Sequence, residues 1–271
     1  MRNIIFLGLI SFFMDISAEM VYPVIPLYLT AAFGATPALV GIIEGIAEST
    51  ASLLKVFSGY VTDKYKKKKT IAFIGYAAGL FYKLTLIFAS SWTGILTARV
   101  IDRLGKGIRT APRDVMVSES ADKDSMGKAF GVHKALDMAG SAIGILIAYF
   151  LVKGLGGSVV DYKGIFVVSV IPAVLALMMF VFVKEKKELR QVKARERFWE
   201  NFKSLDYHLK LYLMVIFVFT LGNSSNTFLL LRAKVPSLMI PVLFCCISCI
   251  ILQYLYWLCH LVNFRTELDE R

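Results

Sequence analysis

Histidine and cysteine are scarce in this 271-residue chain and poorly placed for chemistry. The three histidines, His133, His208 and His260, stand far apart, and all four cysteines (Cys245, Cys246, Cys249, Cys259) crowd into the C-terminal tail. No spacing among them matches a metal site or a disulfide framework. Charge is thin as well: 19% of residues are Asp, Glu, Lys or Arg, against about a quarter in an ordinary soluble domain. The stretch GKGIRT at 105–110 has neither the spacing of a phosphate-binding loop nor a Ser or Thr after its lysine, so ATP is not implied. No G-x-S-x-G elbow is present. These absences point away from an enzyme, a resident metal and a cofactor.

Apolar residues, by contrast, make up 57% of the chain, and the mean hydropathy is +0.64. Runs of membrane-spanning length occur at 4–30, 38–62, 70–90, 92–112, 128–152, 164–183, 209–232 and 236–263. The expected fold is therefore all-α, a polytopic bundle of membrane helices. The first run is no cleaved signal peptide: Asp15 and Glu19 interrupt it, and apolar sequence resumes through Leu29.

The formal net charge of +11 comes from short connectors, which reads as topology rather than nucleic-acid binding. DKYKKKK after the second run and KEKKELRQVKARERFWENFK after the sixth are densely basic, while the connectors after the first and third carry no charge. The positive-inside rule then places the N-terminus in the cytoplasm of a multi-pass protein of the cell membrane. Phe198, Phe202 and Leu205 recur at helical spacing in the long basic connector, so an amphipathic helix on the inner surface is expected there. A plain solvated linker fits nearly as well. The domain expectation is a six-helix bundle at 1–183, a basic linker at 184–208 and the start of a second bundle at 209–271.

Charges inside the spans carry the functional signal, because each costs about 2.5–3.5 kcal/mol if left at the bilayer centre. Asp15/Glu19, Glu44/Glu48 and Arg99/Arg103 are pairs four residues apart, each on one helix face. Counting about 1.5 Å of rise per residue predicts two levels. Asp15, Glu48 and Arg103 share the midplane, and Glu19, Glu44 and Arg99 lie one turn outward. Acids from two helices then surround bases of a third, lining either an aqueous substrate and proton path or a set of static struts. Asp102 and Asp137 join the path more weakly, and Lys55 and Lys83 read as snorkelling to an interface. Gly140 and Gly144, like Gly75 and Gly79, allow close helix packing.

The segment from Gly59 to Lys68, GYVTDKYKKK, resembles the loop signature of the major facilitator superfamily, Gly-x-x-x-Asp-Arg/Lys-x-Gly-Arg/Lys-Arg/Lys, with Lys66 in place of its second glycine. The fourth run is similar to that family's Arg-x-x-x-Gly-x-Gly motif, with Arg99 leading, Arg103 replacing the first glycine and Gly105 as the second. DRLGKGIRTAPRD resembles a bacterial branch of drug or uncharacterised exporters, and the likeness covers residues 1–232. It implies a rocker-switch carrier that uses a small-molecule substrate and protons. Gly59 would then permit close approach, and Asp63, Lys64, Lys67 and Arg109 would latch the cytoplasmic gate. Asp15, Glu19 and Glu48 become candidates for proton coupling.

Such carriers have two related halves. A faint echo of FFMDISAEM (12–20) appears as FTLGNSSNT (219–227), yet the matching loop position reads only TELDER. The expectation is a truncated exporter. Alternatives are a half-carrier that self-associates and a non-transporting membrane fragment or interaction partner.

Overall fold

The computed structural model describes residues 2–65, 67–122, 125–154, 162–185 and 206–221, all within the compact unit Met1–Ser225. They form helices α1 (Arg2–Val21), α2 (Val24–Phe33), α3 (Pro37–Tyr65), α4 (Lys68–Phe88), α5 (Trp92–Glu119), α6 (Met126–Gly154), α7 (Tyr162–Met179) and α8 (Tyr207–Leu221), with a 3-10 turn at Phe180–Phe182. No strand occurs among the described residues. The fold is all-helical.

Each apolar run is helical where it is described, with informative exceptions. The first run breaks at Tyr22–Pro23, because proline cannot donate the hydrogen bond that would continue α1. Gly34 closes α2 with a φ of 61°, a conformation that favours glycine. The basic connector DKYKKKK is largely helix rather than loop, since α3 runs to Tyr65 and α4 starts at Lys68. α5 continues past its apolar stretch to Glu119, through Pro112, because Met116 and Val117 keep one face buried. The expected amphipathic linker helix at Phe198, Phe202 and Leu205 and the run at 236–263 lie outside the described residues.

Among the described residues four stretches, Arg2–Phe33, Lys68–Phe88, Met126–Val152 and Tyr162–Phe182, are long and apolar enough to cross a membrane. α3 and α5 are equally long but carry the intramembrane charges, and they pack on each other. α1 lies between α6 and α7, and α4 lies against α5 and α7. Missing side chains set these approaches. A Cβ on Gly140 or Gly144 would fall 2.4 or 2.5 Å from the carbonyl oxygens of Phe12 and Ile16, so α1 and α6 touch backbone to backbone. Gly75 and Gly105 do the same for α4 and α5.

One end of the bundle is pinned by polar contacts. Asn3 Nδ2 donates to Ser120 Oγ at 2.7 Å and to the Lys184 carbonyl at 3.1 Å, while the Lys68 backbone N–H donates to Glu185 Oε1 at 2.7 Å. Lys68 also pairs with Glu119. The start of α1, the start of α4, the end of α5 and the segment after α7 therefore meet at one end, as up-and-down spans require. Aromatic rings close the other end, with Tyr28 packed on Tyr162 and Phe166. Phe73, Ile74, Phe81, Phe88, Phe150 and Ile171 point outward and exposed, the surface a helix bundle offers to lipid.

Candidate functional site: a polar row along α5

α5 is the most polar of the long helices, and its charges at 99, 102, 103, 106, 109 and 113 recur every three or four residues, which keeps them near one face. Toward α3 this face makes two ion pairs of different character. Arg99 donates from Nε to Glu44 Oε1 at 2.9 Å and from Nη2 to Oε2 at 2.5 Å, with both residues buried. Its Nη1 lies 3.6 Å from Asp102 Oδ2, and its Cζ lies 5.3 Å from the Tyr22 ring centre. Arg99 thus ties α5 to α3 by two hydrogen bonds and faces Tyr22 of α1. Arg103 Nε lies 3.1 Å from Glu48 Oε2 without hydrogen-bond alignment, and the Glu48 side chain is 58% exposed. The first pair is a strut; the second is open and able to exchange partners.

Toward α1 the helices run antiparallel, and the register follows turn by turn. Ser11 meets Arg113, whose Nη1 is 3.4 Å from its Oγ. Asp15 feels the charges of Asp137, Arg109, Lys106 and Arg113. Glu19 feels those of Lys106, Asp15, Arg103 and Asp102, and Tyr22 meets Arg99. Asp15 and Glu19 are half-buried, and Lys106 is exposed. Half-buried acids beside an exposed lysine and an open arginine pair give groups that can exchange protons or bind a charged cargo without leaving the bundle.

A family model for the Major Facilitator Superfamily matches residues 7–264. The chain belongs to the major facilitator superfamily. It is 35% identical over 233 residues to an uncharacterised transporter of this type from Methanocaldococcus jannaschii, covering 86% of this chain and 57% of that protein. The fold is similar to that of a bacterial homologue of the human drug peptide transporters, with a TM-score of 0.63 at 12% identity over 72% of this chain and 44% of the other. It is also similar to a peptide transporter crystallised with alafosfalin, with a TM-score of 0.59 at 17% identity, covering 90% and 50% of the two chains. The chain thus spans about half the length of these relatives.

Within this major facilitator bundle, the structure joins Glu44 with Arg99 and Glu48 with Arg103, but it sets the α1 acids lower than rise-counting places them. Asp15 lies level with Lys106 and Arg109 rather than Arg103, and Glu19 with Lys106 and Arg103 rather than Arg99. The count ends the fourth span at residue 112, but α5 runs on to Glu119 and its end meets Asn3, which slides the α1 acids toward Lys106 and Arg109. Lys83 is a second correction. It does not reach an interface: it is fully buried, with Nζ 3.7 Å from Met14 Sδ, and Asp102 is the foremost charge acting on it. Asp137 is buried between Arg113, Lys134 and His133 at 3.7–3.9 Å.

Among the gate residues, Arg109 is buried, with Cζ 4.6 Å from the Tyr76 ring centre, and Lys67 is exposed beside the first turn of α4. Gly59, Asp63 and Lys64 fall in the last turns of α3, where the side chains lie outside the described residues, as does that of Lys55. Ser11, Tyr76, His133 and Arg113 were not singled out from sequence. Their available signals were the four-residue steps Ser11–Asp15 and His133–Asp137.

Proposed function

We propose that residues 1–183 form the first six-span half of a secondary transporter that exports a small molecule by alternating access, coupled to protons. In this reading 184–208 is the basic linker and 209–271 opens the second half. The carrying observation is the row of acids from α1 and α3 along the basic face of α5. There Asp15, Glu19, Glu48, Arg103 and Lys106 stay loosely paired or partly open, while Arg99, Glu44 and Asp102 are locked together. A carboxylate withdrawn from bulk water but in reach of movable cations can alternate between charged and neutral forms as its surroundings rearrange.

Lys68, Lys69 and Lys184 gather at the end of the bundle where α1 begins, which supports a cytoplasmic N-terminus by the positive-inside rule. In this reading Asp63, Lys64 and Lys67 form the cytoplasmic gate latch beside Gly59, while Arg109, expected there from sequence, is buried against Tyr76 inside the bundle and belongs to the row beside Asp15. The carrier sits in the cell membrane. A second reading is favoured by the chain spanning half of its relatives: a membrane fragment that does not transport alone, or a half-carrier that needs a second copy.

The test places the purified chain in lipid vesicles loaded with the pH dye pyranine. Ethidium, benzoate and a dipeptide serve as cationic, anionic and zwitterionic probes. Probe-dependent proton movement that disappears in Glu19→Gln supports the carrier. Traces unchanged by every probe, with a Lys106→Cys variant shielded from an impermeant thiol reagent on both membrane faces, favour the fragment.

A further inference from the structure

At the pinned end, three cations stand on three elements that pack together. Arg2 opens α1, Lys69 lies in the first turn of α4, and Lys184 follows the 3-10 turn that ends α7. α7 lies against both α1 and α4. Direct contacts bring the three to one level. Asn3 holds the Lys184 backbone from both sides, its Oδ1 accepting from the N–H at 3.0 Å and its Nδ2 donating to the carbonyl at 3.1 Å. Lys69 Nζ donates to the Val183 carbonyl at 2.6 Å. An ammonium has three donors, so Lys69 keeps two for another acceptor.

Aromatic rings lie just beneath these charges. Four residues after Arg2 comes Phe6, and four after Lys69 comes Phe73, each on the face of its cation. Phe6 stacks on Phe182 at 5.4 Å, and Phe73 meets Phe180 edge-on at 5.5 Å. The rings thus join the end of α7 to both neighbours. This surface is open, with Val181 78% and Phe182 56% exposed. Acids do not balance the cations. Among the described residues none of Arg2, Lys69 and Lys184 has a carboxylate partner. Glu119 pairs with the Lys68 ammonium. Glu185 accepts from the Lys68 and Lys69 backbone N–H groups at 2.7 and 3.4 Å and so closes the start of α4.

Whatever covers this surface must be anionic at one level and apolar one helical turn, about 5.4 Å, deeper. A second copy docked through the same face would set cations against cations. The chain's own continuation from Lys186 to Lys203 carries mostly basic charges and is repelled in the same way. An anionic phospholipid has the required order. We propose that Arg2, Lys69 and Lys184 bind the phosphate of such a lipid, whose acyl chain lies over Val181 and Phe182. The Arg2 guanidinium offers a fork to the phosphate oxygens, and the two lysines act as point charges. With Glu185 on the start of α4, the phosphate is left to the side chains. A zwitterionic lipid brings its own cation to the same place and binds less well. The surface faces outward from the bundle, so it holds lipid whether or not the chain transports.

Native mass spectrometry tests this on the whole chain, delipidated in a neutral detergent and titrated with dioleoylphosphatidylglycerol or dioleoylphosphatidylcholine. One phosphatidylglycerol is expected to bind at least about tenfold more tightly than phosphatidylcholine, the gain that two or three cations near an anionic headgroup supply. Arg2→Gln/Lys184→Gln should remove most of that preference. Lys128→Gln/Lys163→Gln takes the same charge from α6 and α7 elsewhere and should keep it. All four positions are exposed, so neither pair disturbs packing. Equal affinity for the two lipids overturns the site. So does an equal loss in both double variants, which would mean a diffuse effect of net charge. Inorganic phosphate and glycerol 1-phosphate, which lack acyl chains, should not displace the lipid at about millimolar concentration. Displacement by either would make this a site for soluble anions and overturn the lipid assignment.

Discussion

Arg99 and Glu44 join α5 to α3 through two parallel hydrogen bonds, 2.9 and 2.5 Å long, between side chains withdrawn from solvent. The planar guanidinium fork matches the carboxylate, a geometry that lysine cannot copy. Removing one partner leaves the other charge buried and unpaired, a loss of about 3–5 kcal/mol. Arg99→Ala is therefore expected to lower the thermal midpoint of the purified chain sharply, and Arg99→Lys to fall between. The double variant Arg99→Leu/Glu44→Leu should recover most of the loss, because a well-packed apolar pair replaces a desolvated one. Melting of the three variants in one detergent measures this, and a double variant no better than Arg99→Ala would contradict it.

Arg103 and Glu48 lie one turn away on the same helices, and the expectation reverses. Glu48 is 58% exposed on its side chain, so water screens the pair and its worth falls to about 1 kcal/mol or less. Glu48→Gln should melt with the parent protein. Its effect should appear instead in the pyranine assay, as a changed pH dependence of probe-driven proton movement.

The cross-helix pairing of α3 with α5 was legible in the sequence because both helices carry charges at four-residue spacing, and face and order follow directly from that. The register of α1 was not. The apolar run of α5 stops near residue 112 while the helix continues to Glu119 beside Asn3, and that overrun was enough to move Asp15 from Arg103 to Lys106 and Arg109. Lys83 was misread for a different reason. Nothing in LTLIFASSW, the sequence that follows it, distinguishes a lysine that reaches an interface from one turned into the bundle. That choice was made by Met14 and Tyr82, which come from packing. The His133 contacts were hidden because Ser11, Tyr76, Arg113 and His133 sit on four helices, and Arg113 lies just past residue 112, where the apolar run ends.

Lys83 and Lys106 should differ in reactivity. Lys83 is fully buried beside Met14, whereas Lys106 is exposed on the α5 face. An amine-acylating reagent applied to the folded chain in nanodiscs should modify Lys106 and spare Lys83, and both should react once the protein is unfolded. Peptide mass spectrometry reads the two sites separately. Equal labelling in the folded state would place Lys83 at an accessible interface, as snorkelling requires.

The close approach of α1 and α6 at Gly140 makes a prediction with an internal control. A Cβ at Gly140 would lie 2.4 Å from the Phe12 carbonyl oxygen and 3.0 Å from its Cα, atoms of a helix backbone that cannot turn aside. Gly140→Ala must therefore push α1 from α6, and overpacking of this kind costs about 1–3 kcal/mol. The displacement would also shift Asp15 and Ser11 against α5. Gly131 lies on the same helix with nothing within 4 Å of its added Cβ, so Gly131→Ala should gain up to about 1 kcal/mol from helix propensity alone. Thermal melts should thus move in opposite directions for one identical substitution at two sites of α6. If both variants rise, the α1–α6 approach is looser than the carbonyl contacts at Phe12 and Ile16 require.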